Sequence, residues 1–144
     1  MPITINGSGT VTGISTGGLP DGCIATDDLA NNAVTTAKLG TTEQSQLCRA
    51  WVNFNGTGTV AIRASYNVSS ITDNGTGDYT VNFTTALADA NYSVVANHSA
   101  LSLGVACVGP GVTTAPAAGS IRMTCAQGGP SVVDPTYVFV SIFR

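Results

Sequence analysis

Charge is what this sequence has least of. Only 9% of its 144 residues are Asp, Glu, Lys or Arg, against about 25% in an ordinary soluble domain. Five Lys and Arg cannot build a basic stripe on a chain of net charge −3, which excludes nucleic acid as a partner. A basic amphipathic helix for a membrane surface is missing for the same reason. No apolar run approaches the roughly 20 residues needed to cross a bilayer, so membrane insertion is not expected. Met1-Pro-Ile-Thr-Ile-Asn-Gly7 has no charged region followed by an apolar stretch, so it does not read as a secretory signal. Synthesis in a cytosol is the expectation.

Cysteine is sparse and scattered. Cys23, Cys48, Cys107 and Cys125 form no Cys-x-x-Cys pair, which argues against a structural zinc. Buried thiols are expected, with a Cys107–Cys125 bridge open if their strands are neighbours. There is one histidine, His98. Asp89 and Asp134 could orient it, but no nucleophile motif accompanies them. Three copies of His98 on a symmetry axis could hold a metal, yet the local sequence, Asn97-His98-Ser99, lacks a His-x-His pair. With eight acids, Asp27 and Asp28 adjacent, no carboxylate pair for glycoside cleavage can be assigned. The expectation is a protein that is not an enzyme, with no catalytic residue, cofactor or metal.

What fills the chain instead is Gly, Ser, Thr and Asn, which favours strands and tight turns over helices. Ile3-Thr-Ile5 and Thr10-Val-Thr12 alternate around Asn6-Gly7, as in a small hairpin. Such a hairpin cannot be stable alone. Further on, Ile24, Leu29, Val34 and Leu39 recur every five residues. That spacing fits neither a strand nor a helix. It suggests an extended repeating unit packed on symmetry mates; the alternative is a short helix over 27–30 followed by a loop. Residues 41–50 predict a short helix capped by Thr41, with Gln44 completing a capping box.

From Trp51 onward the pattern is all-β. Strands are expected near 51–54, 58–66, 78–84, 91–97, 102–108, 119–125 and 136–143, separated by Gly- and Asn-rich turns. In the last of them Tyr137, Phe139, Ser141 and Phe143 share one face, and Val138, Val140 and Ile142 the other. Apolar residues on both faces imply burial of both, within the domain or at a subunit interface. Asp73-Asn-Gly-Thr-Gly-Asp78 has the oxygen density of a calcium loop, but it lacks a downstream Glu and sits where a hairpin turn is expected. Asn67-Val-Ser and similar glycosylation matches read as turns and solvent-facing positions. Trp51, Tyr66, Tyr79 and Tyr92 are candidates for stacking on a surface sugar, with core or subunit interface as the competing role of each.

Two segments resemble a known family. Asp28-Leu-Ala-Asn-Asn-Ala-Val-Thr-Thr-Ala-Lys-Leu39 resembles a repeat in the shafts of bacteriophage fibre proteins. Ala50-Trp-Val-Asn-Phe-Asn-Gly-Thr-Gly-Thr-Val-Ala-Ile-Arg63, continuing to Phe83, is similar to the start of the C-terminal domain of phage tail fibre and virion fibre proteins, those of cyanophages and marine phages among them. The resemblance implies a virion fibre subunit, assembled in the host cytoplasm as an intertwined homotrimer. An N-terminal attachment arm (1–22) would bind other virion proteins. A stem (23–49) would carry an antiparallel β-sandwich-like head (50–144), which would touch a host-surface glycan or protein. The chain holds a single shaft phrase, which suits a short tail fibre, a fibre tip or a capsid fibre. A capsid decoration or cement protein and a carbohydrate-binding module are the alternatives.

Overall fold

The computed structural model describes residues 24–99, 114–127 and 131–144. The arm at 1–22, the strand expected at 102–108, Cys23 and Cys107 lie outside the described residues. The chain divides between Leu39 and Gly40.

Before that division, residues 24–39 form neither a strand nor an α-helix. Two single turns of 3-10 helix, Thr26–Asp28 and Thr36–Lys38, lie ten residues apart, each closed by an i→i+3 backbone bond. Between them a further turn has Asn32 at φ +65°, and Ala33 N donates to Ala30 O. The structure therefore repeats every ten residues while the apolar side chains repeat every five. Ile24, Leu29 and Val34 are exposed and Leu39 is half-buried. The helical alternative over 27–30 reduces to the first of these turns.

From Gly40 on, helix among the described residues is confined to α1 (Thr41–Ser45). Its cap is Gly40, and no side chain bonds it; Thr41 is the first helical residue and not the expected cap. The helix stops at Ser45, and after Gln46 and Leu47 the chain enters the sheet at Cys48. Strand β1 already begins at Cys48, so residues assigned to the stem belong to a strand.

Among the described residues seven strands follow: β1 (Cys48–Asn55), β2 (Ala61–Tyr66), β3 (Val68–Gly75), β4 (Asp78–Phe83), β5 (Ser93–His98), β6 (Ser120–Thr124) and β7 (Val138–Phe143). They form a four-stranded sheet, β2-β1-β7-β5, and a three-stranded sheet, β3-β4-β6, with every pairing antiparallel. Alternation explains which side chains meet between them. Ala50, Val52, Phe54, Val138, Val140 and Ile142 face inward from one sheet. Val68, Tyr79, Val81, Phe83, Ile121 and Met123 face them from the other. Phe54 and Tyr79 meet edge to face, centroids 5.2 Å apart. The chain is thus an all-β, sandwich-like fold over this stretch.

Strand β3 was hidden by its own irregularity. Its apolar residues, Val68 and Ile71, are three apart, and a register shift between Val68 and Ser70 lets them pair with Phe83 and Val81. The rest of it is Ser, Thr, Asp and Asn on an exposed edge. The 73–78 segment is a hairpin turn, with Gly75 opposite Asp78 and Gly77 at φ +66°. Its oxygens serve the turn: Asp73 Oδ1 accepts from Gly75 N, and Asn74 Nδ2 donates to Asp78 Oδ1 and Thr80 Oγ1.

Candidate binding surface

A two-sheet fold leaves two outer faces, and here they differ in kind. The outer face of the three-stranded sheet is polar and bonded to itself. Asn82 Nδ2 donates to Ser70 Oγ and Thr72 Oγ1 at 3.1 and 3.0 Å. Arg122 grips Asp78 through two nitrogens, Nε at 2.8 Å. These hydrogen-bonding groups are already spent on one another.

The four-stranded sheet presents aromatic rings outward. Trp51 on β1 and Tyr66 on β2 are cross-strand partners, 39% and 59% exposed. Phe139 on β7 stands opposite Asn53 of β1. It stacks parallel to Tyr137, interplanar angle 5°, and the two rings are 45% and 44% exposed. Val95 on β5, opposite Ser141, extends the face. Asn53 itself has its Oδ1 buried with no hydrogen-bond partner among the described residues. Burying a polar atom unpaired costs free energy, so this is a costly place for an amide that serves packing alone.

Arg63 completes the face. A register shift between Asn53 and Phe54 makes Arg63 the extra residue of β2. Its guanidinium lies over the Tyr137 ring, 4.2 Å from the centroid, and one nitrogen donates weakly to Asn55 Oδ1 at 3.4 Å.

Of the four aromatic candidates from the sequence, this face gathers two. Tyr79 is a correction: it is 0% exposed and faces inward from β4. Its hydroxyl lies 2.7 Å from Asp134 Oδ1 and 3.0 Å from Gly56 O. Burial, and then the hydrogen bond to Asp134, hold its phenol above the ordinary tyrosine range. Tyr92 is also a structural residue. It packs edge to face on Phe83 and donates toward Ala117 O and Ser120 O at 3.2 and 3.0 Å. Tyr137, Phe139 and Arg63 were missed as site residues. The signal for the first two was in the sequence, as the second apolar row of the last strand. The expectation that both rows are buried is corrected for the single chain: the aliphatic row is buried and the aromatic row is half-exposed.

The remaining chemistry-bearing groups are engaged elsewhere. His98 is buried on the inner side of β5, with Nε2 3.1 Å from Ala126 O. Asp89 is held by Arg144 through both carboxylate oxygens, which draws its carboxyl down to about 2. Cys48 is half-buried with Sγ 3.2 Å from Ala50 O, and Cys125 is fully buried. Among the described residues no three His, Cys, Asp or Glu side chains group to hold a metal. No helix among them is long and apolar enough to cross a membrane. No protein-family model matches the chain, and no curated protein or solved structure matches it.

Proposed function

We propose that the chain is a structural subunit of a bacteriophage virion fibre that attaches to the host surface by multivalent binding. In this reading residues 1–22 are the arm that joins other virion proteins, the stem runs from 23 to the start of β1 at Cys48, and the head from there to 144. Three copies intertwine, and the assembled fibre resides in the virion. Its mechanism is avidity: weak sites on linked copies raise one another's effective concentration. No bond is made or broken.

One observation carries the proposal. Ile24, Leu29, Val34 and Leu39 repeat every five residues on a backbone whose turns repeat every ten, and three of the four are exposed. A segment built this regularly, with so little of its apolar surface buried, gains stability only when something else covers it. Identical neighbours in a symmetric bundle can cover a periodic stripe along its whole length. The resemblance of this segment to fibre shafts points the same way.

The half-exposed aromatic face favours a second reading, a carbohydrate-binding module that needs no assembly. Light scattering after chromatography separates the two. The subunit mass is 14.5 kDa. The fibre reading expects about three times that mass for the full chain, and loss of the assembly on removing residues 1–39 or on replacing Leu29 and Val34 with Ser. A full chain that runs as a monomer, unchanged by these edits, would leave the module in front.

A further inference from the structure

We propose that the outer face of the four-stranded sheet is a saccharide site selective for chains that carry carboxylates, with Arg63 as the carboxylate-reading residue. The proposal deepens the attachment reading and rests on it for its biological setting, though the site itself needs no assembly.

The charge pattern singles the face out. Strands β1, β2, β5 and β7 contain no Asp or Glu, on a chain of net charge −3; their only cations are Arg49 and Arg63. Elsewhere in the described fold, Arg122 and Arg144 are each gripped by a carboxylate, Asp78 and Asp89. Arg63 has neutral partners instead: the Tyr137 ring and, weakly, the Asn55 amide. A guanidinium fork suits a carboxylate, and this one is placed over the Tyr137 ring on an exposed strand with no acid among the contacts it makes. An incoming acid is the group this arrangement lacks.

The rings supply the rest. Pyranose rings present C–H faces that pack on aromatic rings, and Trp51, Tyr66 and Phe139 lie on the same side of the sheet as Arg63. A self-contact in which two such faces meet symmetrically would set arginine against arginine with no acid to separate them. That disfavours a two-fold, face-to-face pairing of copies as the occupant. The opposite outer face offers nothing comparable, since its polar groups already bond one another.

The test uses the full chain and short oligomers of galacturonate, glucuronate and mannuronate, each beside its methyl ester. The ester keeps the sugar and masks the charge. Titration calorimetry or ligand-observed NMR should show at least one acid form binding about tenfold more tightly than its ester, the worth of one charge-assisted contact. Raised salt should narrow that ratio. Arg63→Gln should erase the ratio while leaving ester binding in place, and Trp51→Ala should weaken acid and ester alike. Unchanged circular dichroism of both variants confirms the fold. The proposal is overturned if none of the three acids is preferred, or if Arg63→Gln keeps the preference. It is equally overturned if Trp51→Ala or Phe139→Ser lowers the solution mass, which assigns the face to a subunit contact. A monomeric chain that binds uronate sinks the fibre and keeps the site. An oligomer that binds none does the reverse.

Discussion

The phenol of Tyr79 lies 2.7 Å from Asp134 Oδ1, and the same oxygen accepts from Gly77 N at 2.6 Å. One carboxylate oxygen thus ties a core side chain of β4 to the backbone of the β3–β4 turn, from the segment that leads into β7. Tyr79 is fully buried and the Asp134 residue is exposed, so the bond is made where core meets solvent. Tyr79→Phe keeps the ring against Phe54 and removes only the hydroxyl. The expected cost is about 1–2 kcal/mol by urea denaturation. Asp134→Ala should cost at least as much, because it takes the acceptor from Gly77 N and leaves the phenol only Gly56 O. A double-mutant cycle that gives additive losses would show the contact to be energetically empty. The alkaline limb offers a second check. The folded-state phenol titrates above its ordinary value of 10.0, so its contribution is complete below pH 10 and is lost as pH rises beyond it. That loss is at most about 1.4 kcal/mol per pH unit. Tyr79→Phe should flatten the decline, leaving the part due to Tyr92, whose phenol burial also raises.

Asn67 sits where the chain leaves one sheet for the other. Its φ is +55°, a conformation that asparagine tolerates better than most residues. Its amide closes the crossing: Nδ2 donates to Arg49 O and Thr85 O, and Oδ1 accepts from Thr85 N at 2.8 Å. Asn67→Ala should therefore lose both bonding and conformation, about 2–3 kcal/mol together. Asn67→Gly restores the backbone freedom alone and should recover about 1 kcal/mol of that loss. Equal stability of the two variants would mean that the positive φ carries no cost here.

Two glycines with nearly the same backbone angle should behave differently. Gly58 has φ +67° and Gly77 φ +66°. A Cβ on Gly58 meets nothing within 4 Å. One on Gly77 meets Cys125 O, Val133 N and Val133 O, each at 2.8 Å, all backbone atoms that cannot swing aside. Gly58→Ala should cost about 1 kcal/mol, the left-handed penalty alone. Gly77→Ala should cost about 3 kcal/mol or more, because the turn must move away from the β6–β7 connection. Thermal melts of the pair, run side by side, check the order; similar midpoints would refute the close approach.

Much of the β architecture was legible because alternation survives in β1, β4, β6 and β7. Tyr79, Val81 and Phe83 alternate with Thr80 and Asn82, so the inward position of Tyr79 was readable from its own strand. Strand β3 was illegible because its bulge breaks the alternation and its edge is polar. The binding face was half legible. Two apolar rows on the last strand announce two apolar faces, but only the packing of the second sheet decides which row is core. Arg63 could not be placed at all from sequence. Its position over Tyr137 depends on a bulge in one strand and on pairing through β1 between segments far apart in the chain.

The two faces of β7 give the sharpest stability contrast, because adjacent residues report on opposite sides. Val140 is buried in the core and Phe139 is half-exposed on the outer face. Val140→Ala removes two methyl groups from a packed interior and should cost about 2 kcal/mol, with no dependence on protein concentration. Phe139→Ser removes a far larger side chain, yet the single chain predicts a loss within about 0.5 kcal/mol, since the ring still meets water. Its effect belongs to binding: uronate affinity should fall while the melting temperature holds. If Phe139→Ser instead destabilises by several kcal/mol, and more so as the chain is diluted, the ring is buried by another subunit. Dilution series of the two variants therefore decide whether the aromatic row meets ligand or protein.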